Sequence, residues 1–304
     1  KNNKVEVGKI GKLIDDLLNK QSNIKNIKHI PENRTQYLDI SKLNIKIPSV
    51  YSDNFDDELE GKIFWKPITA ITKHLPIGDP KYTIELISKW DVDEIILLDI
   101  DCSPQNKNFD LKKLEEYAKF TSIPLTVGGG IKNLKDVRNI ISAGADKVCL
   151  NSIVFENLEF INEVSNSFGS QCVVICLDIK RYKGKYRIFT NRGNKLTNFD
   201  LIKFIKLISE KGAGEVLLNF IDRDGQKTGF DIKLLKEICK KSDIPVIAMG
   251  GAGKYSDFVN PFLKTDVSAL AAANIFHFTE HSTILAKAHM YRNGIDVRLN
   301  IDAS

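Results

Sequence analysis

A chain of 304 residues that is 42% apolar and 27% charged carries enough apolar material for a large core and has an ordinary globular composition. Its 44 basic and 39 acidic residues are mixed in sign and leave a net charge of only +5, which argues against a nucleic-acid surface and allows mild attraction to small anions. No apolar run approaches the ~18 residues of a membrane span and no signal peptide is visible, so a cytoplasmic protein without membrane contact is expected.

In chain order, residues 1–44 hold one amphipathic segment (7–18) and a polar stretch rich in Asn and Lys, and read as an N-terminal appendage, partly helical, to a domain at 45–304. From residue 45, short runs rich in Ile, Val and Leu alternate with amphipathic stretches. The runs are IKIPSV (45–50), EIILLDI (94–100), IPLTV (123–127), KVCLNS (147–152), CVVICLD (172–178), EVLLNF (215–220), IPVIAM (244–249) and VSALAAA (267–273). Helical spacing is predicted over 80–90, 111–121, 134–143, 158–168, 200–211, 231–241, 255–263 and 282–293. Eight strands alternating with helices over about 250 residues predict an α/β protein, a (β/α)8 TIM barrel rather than an open doubly wound sheet. An offset of 121 residues superposes EIILLDID (94–101) on EVLLNFID (215–222), and IPLTVGG (123–129) on IPVIAMGG (244–251). The barrel is therefore expected to consist of two similar halves.

In such a barrel the residues that end each strand carry the chemistry. Two strands end in glycine runs, Gly128-Gly129-Gly130 and Gly250-Gly251. Either these are tight strand-to-helix turns, or their backbone N–H groups cradle phosphates beside helix N-termini, with Asn151, Ser152 and Asn274 as polar neighbours. Two cradles across one mouth imply a ligand with a phosphate at each end. Asp178 closes an unbroken apolar run, where a carboxylate is costly unless used or paired. It reads as a catalytic acid or base, or as a structural partner of Lys180 or Arg181. Asp224, before Gly225, is a further candidate or a simple turn residue, and Asp99 is another. At the opposite end, Glu94, Lys147 and Glu215 begin strands as a charged ring, by default a stabilising one. The cysteines (102, 149, 172, 176 and 239) contain no CxxC pair and read as free thiols; HFTEH (277–281) lacks a third ligand, so no metal is expected.

GDP (78–80), DEIILLDI, TVGGGI, GADKVCLNS, FGSQCVVICLDIKR, KGAGEVLLNFIDRDGQKTGFD, IPVIAMGGAG and NIFHF together resemble the HisF family, the cyclase subunit of imidazole glycerol phosphate synthase of histidine biosynthesis. The resemblance spans nearly all of residues 78–299. It implies a lyase-type cyclase whose barrel takes ammonia from a HisH-like glutaminase at its bottom face, spends it at the top on a substrate with two phosphates, and needs no cofactor. By matching position, Gly129, Gly130, Asn151 and Ser152 would hold one phosphate, and Gly225, Gly250, Gly251, Ala273 and Asn274 the other. Asp178 matches the family's strand-five acid, and Glu94, Lys147 and Glu215 match its ammonia gate.

The sequence also departs from the family. Tyr51 stands where the strand-one aspartate is expected, with Asp53, Asp56 and Asp57 nearby. The gate's strand-one arginine is absent, with Ile45 or Lys46 near its place, and Asn219-Phe220 replaces a small hydroxyl pair. These departures resemble a HisF-like branch associated with lipopolysaccharide and other surface-polysaccharide biosynthesis. There the barrel would conduct ammonia to a sugar amidotransferase, without cyclase activity. A phosphoribosyl isomerase of the same pathway is a third reading, against which the gate residues and the IDRDG stretch speak.

Overall fold

A computed structural model describes residues 47–49, 64–66, 79–102, 105–191, 193–277 and 282–298, with backbone only at 47–49, 64–66, Asn274 and His277. The chain divides into two units, Lys1–Pro76 and Ile77–Ser304. In the first, β1 (Ile47–Ser49) pairs antiparallel with β2 (Phe64–Lys66), a partner the apolar pattern does not announce. The predicted helix at 7–18, together with Ile45, Lys46, Tyr51, Asp53, Asp56 and Asp57, lies outside the described residues.

The second unit is an α/β fold whose curled parallel sheet is that of a (β/α)8 barrel. Seven parallel strands follow one another in chain order: β3 (Ile95–Leu98), β4 (Leu125–Gly128), β5 (Lys147–Leu150), β6 (Val173–Tyr182), β9 (Glu215–Phe220), β10 (Val246–Met249) and β11 (Ala269–Ala271). They match the second to eighth predicted strands. Both sheet faces are covered, which is why the strands read as continuous apolar runs. Alternation splits them into two cores. Val127, Val148, Leu150, Ile175, Leu177, Val216 and Leu218 pack outward against the helices. Cys149, Val174, Cys176, Leu217 and Ile247 form an inner cluster with Ile96, Leu98, Met249, Ala269 and Ala271. Each fully buried Leu, Ile or Val contributes roughly 1.5–3 kcal/mol.

The helices start where the sequence supplies a capping side chain. Asp79, Asp110, Asn133, Asp200 and Asp231 each accept a hydrogen bond from a first-turn N–H, as Asp79 Oδ1 does from Lys81 N at 2.9 Å and Asn133 Oδ1 from Asp136 N at 3.0 Å. They open α1 (Pro80–Lys89), α2 (Leu111–Ala118), α3 (Leu134–Ser142), α6 (Leu201–Glu210) and α7 (Ile232–Lys241). Between α3 and α6 lie α4 (Ser152–Glu156) and α5 (Glu159–Phe168); after α7 come α8 (Val259–Lys264) and α9 (Asn274–His277). The last helix, α10 (Ser282–Arg292), returns to the turn that precedes β3. There Lys287 Nζ, buried, donates to Asp93 at 2.8 Å and lies 3.6 Å from Asp91, and the Thr283 hydroxyl bonds to the Trp90 carbonyl.

The hairpin after β6 was not predicted either. β6 runs past the sheet and folds back through a two-residue turn, Lys183 and Gly184 both at positive φ, into β7 (Lys185–Thr190), which pairs with β8 (Lys195–Leu196). Two such residues form the hairpin turn that matches the twist of paired strands.

Candidate functional site

At the N-terminal ends of the strands, Lys147 stands between two carboxylates. Its Nζ donates to Glu94 Oε1 and Oε2 at 2.9 and 3.0 Å and to Glu215 Oε1 at 2.7 Å. Burial pulls the lysine's pKa down, but the hydrogen bonds and charges of Glu215 and Glu94 outweigh it and hold it above the ordinary lysine range. The second Glu215 oxygen, Oε2, is buried without a hydrogen bond among the described residues. The three predicted ring residues thus form one cluster.

Two-residue periodicity carries the same inward face upward. On β9 it runs Glu215, Leu217, Asn219; on β5 and just beyond it, Lys147, Cys149, Asn151; on β6, Val174, Cys176, Asp178. The register sets Val174 beside Glu215, Cys176 beside Leu217 and Asp178 beside Asn219. At about 3.3 Å per residue, Glu215 and Asn219 are roughly 13 Å apart along the strand. The middle layer is apolar and uncharged. A hydrogen bond with Cys149, followed by burial, holds the Cys176 thiol well above its ordinary range.

At the C-terminal ends Asp178 is held from both sides. Asn219 Nδ2 donates to its Oδ1 at 2.7 Å and Asn151 Nδ2 to its Oδ2 at 3.2 Å. Burial raises the Asp178 pKa, while the Asn219 and Asn151 bonds pull part of the way back. The net direction is upward, toward a group able to exchange protons nearer neutrality. The alternative partners, Lys180 and Arg181, do not pair with Asp178: Lys180 Nζ goes to the Gly193 carbonyl at 2.6 Å and over the Phe189 ring, and Arg181 goes to Asp231. Asn151, expected beside a phosphate, spends its amide on Asp178.

The glycine turns repeat in geometry as in sequence. Gly129 and Gly250 have φ of 130° and 103°, and a Cβ there would lie 2.5 Å from the Asp99 carbonyl oxygen and 2.8 Å from that of Phe220. In each half, then, the C-terminal end of the preceding strand packs against glycine backbone that no other residue can supply. This requirement accounts for the runs without a ligand. Gly130 and Gly251 follow, each against a further loop carbonyl, of Lys107 and Gly229. Ser152 opens α4, Ala273 follows β11, and Asn274 opens α9. Gly225 sits in the open loop after β9. All these candidates share the C-terminal end of the sheet with Asp178.

Asp99 and Asp224 do not join it chemically. Asp99 Oδ1 closes a turn by accepting from Asp101 N at 2.9 Å and Cys102 N at 3.2 Å. Asp224 is exposed in the loop after β9. A network that sequence reading missed holds that loop: Asp231 accepts from Leu234 N at 3.1 Å, Tyr186 Oη at 2.9 Å, Arg181 at 3.2 Å and Arg223 at 3.4 Å, while Arg223 also reaches the Gly229 carbonyl at 3.0 Å. Burial pushes the Asp231 pKa up, but these donors outweigh it and hold it below the usual carboxylate range. Among the described residues no group of three or more His, Cys, Asp or Glu side chains is arranged to hold a metal ion, and no helix is long and apolar enough to cross a membrane.

The family model described as "Histidine biosynthesis protein" matches residues 71–282. A Natranaerobius thermophilus protein named imidazole glycerol phosphate synthase subunit HisF is 43% identical over 225 residues, 73% of this chain and 88% of its own length. The protein of that name from Lactococcus lactis subsp. cremoris is 39% identical over 225 residues, covering 73% and 87%. A Vibrio vulnificus protein provisionally named imidazole glycerol phosphate synthase subunit hisF2 is 40% identical over 231 residues, covering 76% and 85%.

Proposed function

The chain belongs to the histidine biosynthesis protein family, and on that premise we propose that it is the ammonia-using cyclase subunit of an imidazole glycerol phosphate synthase, working with a HisH-type glutaminase. The observation that carries this reading is the stacking of three layers on one inward face: the Lys147 ion cluster, an uncharged thiol and aliphatic layer, and Asp178 between two amides. Neutral ammonia crosses an apolar layer at little cost, whereas ammonium would have to shed its hydration. A charged cluster that parts and closes at the entrance suits delivery from a docked partner.

In the proposed reaction ammonia adds to the ketone of the formimino-ribulotide and water leaves. Ring closure then releases imidazole glycerol phosphate and an aminoimidazole ribotide. Asp178 takes and returns the protons of these steps, which its burial-raised pKa favours. The backbone at Gly129, Gly130, Gly225, Gly250 and Gly251, with Ser152, Ala273 and Asn274, would hold the two phosphates, and Asn151 would act through Asp178. The test is to supply the purified chain with the ribotide and ammonium salt: imidazole glycerol phosphate should form without any glutaminase, and its absence would refute the cyclase assignment.

One observation favours a second reading, that of an ammonia-conducting partner in surface-polysaccharide sugar amidation. Tyr51 occupies the place of the strand-one aspartate, which removes half of the expected acid–base pair. That reading requires no ribotide turnover, together with stimulation of a sugar-amidating mixture.

A further inference from the structure

Asn219 carries an unexplained atom. Its Nδ2 must face Asp178, because a carboxylate only accepts, so its Oδ1 is turned away, and that oxygen is buried without a hydrogen-bond partner among the described residues. A buried acceptor left unmade is costly, and such atoms in native proteins call for a reason. The place supplies one. Asn219 is the C-terminal member of the inward face that starts at Glu215, it is the register partner of Asp178, and it lies above the uncharged layer of Cys176 and Leu217. A small N–H donor that reached Asn219 along that face would stand beside the Asp178 carboxylate.

We infer that Asn219 is a positioning residue of this site: it fixes the Asp178 carboxylate through Nδ2 and reserves its Oδ1 for an N–H of the nitrogen to be transferred. The second half rests on the ammonia-using function proposed above. The hydroxyl found in the family at this place also has one proton to donate and lone pairs to accept with, but on a single atom, whereas the carboxamide sets donor and acceptor on separate atoms. Among the described residues, Asn151 just beyond β5, Phe189 in register on β7 and the Cys176 thiol on its own strand are uncharged, while Lys180, next on the Asp178 face of β6, turns its Nζ to the Gly193 carbonyl and the Phe189 ring.

The test compares the full chain with Asn219→Leu, of similar size, and Asn219→Thr. Carbon-13 NMR of the Asp178 carboxyl should place its titration midpoint about one to two pH units higher in the leucine variant, with a smaller rise in the threonine variant. In ammonium-driven turnover the leucine variant should need roughly tenfold more ammonium to half-saturate, with the KM for the ribotide unchanged. A merely structural role would move both KM values or neither. Unchanged midpoints in both variants would overturn the assignment. A shifted midpoint with an unchanged KM for ammonium would overturn the acceptor half. Should the parent chain make no product from ammonium, the cyclase reading falls separately, and the midpoints still decide whether Asn219 positions Asp178.

Discussion

Lys147 Nζ lies 2.7 Å from Glu215 Oε1 although their strands, β5 and β9, are separated by β6. Neighbouring strands are about 4.8 Å apart, so the pair spans two strand spacings across the inner face of a curled sheet. Glu94, which leads into β3, reaches the same lysine across β4. Replacing Lys147 by Met leaves two carboxylates facing an uncharged side chain that cannot donate to them. Glutamine-driven activity should fall about tenfold or more while ammonium-driven activity holds, and stability should drop by about 1–2 kcal/mol because the cluster is only partly buried. Parallel assays with the two nitrogen sources check this. Equal losses in both would reduce the cluster to a structural role.

Asp178 should make the protein's stability depend on pH in an unusual direction. Its folded pKa lies above the unfolded one, so the stability it contributes is present below the ordinary carboxylate range and lost as pH rises through the raised folded value. Asp178→Asn should therefore match or exceed the parent in stability near neutrality, and lose that advantage in acid. The same variant should lower ammonium-driven turnover by about two to four orders of magnitude. Denaturation at two pH values, with turnover measured on the same samples, checks both parts.

Asp231 titrates in the opposite sense. Its folded pKa is depressed, so its contribution is present above the unfolded value and lost as pH falls through the folded one. Asp231→Ala removes the α7 cap and strips the Tyr186 hydroxyl and Arg223 of a buried acceptor. The expected cost is about 2–3 kcal/mol near neutrality, shrinking in strong acid. Because Arg223 also holds the Gly229 carbonyl, protease sensitivity of the loop after β9 should rise as well.

The duplicated glycines allow a paired test. Gly129→Ala and Gly250→Ala each place a Cβ against a backbone carbonyl at the end of the preceding strand, in backbone of positive φ, and each should destabilise by about 2–4 kcal/mol. Similar losses at the two sites by chemical denaturation would confirm that the halves share one packing solution. A neutral effect at either would show that its loop gives way.

The parts legible in the sequence were those set by local chemistry. CVVICLD reads as a strand because both its faces are buried, Asp79-Pro80 and Asp110 mark helix starts because a cap needs that side chain there, and the 121-residue repeat tied the two glycine turns together. What depends on register across strands was not legible. Nothing near Asp178 in the chain announces that Asn151, 27 residues before it, and Asn219, 41 after it, bond to its two oxygens. The adjacent Lys180 and Arg181 were the natural guess, yet strand alternation and the β7 hairpin turn them elsewhere. That hairpin had a usable signal in Lys183-Gly184 ahead of the β-rich KYRIFT, whereas the Asp231 network, built from residues up to 50 apart, had none.

Under the proposed function, nitrogen enters at Lys147 and is used at Asp178. The most direct measurement pairs the chain with a HisH-type glutaminase, supplies glutamine labelled with nitrogen-15 on its amide together with unlabelled ammonium in solution, and follows the imidazole product by mass spectrometry. The imidazole glycerol phosphate formed should carry the glutamine label well above the proportion in bulk ammonia, an enrichment that Lys147→Met abolishes. Product labelled only to the bulk proportion, or no imidazole product at all, would contradict it.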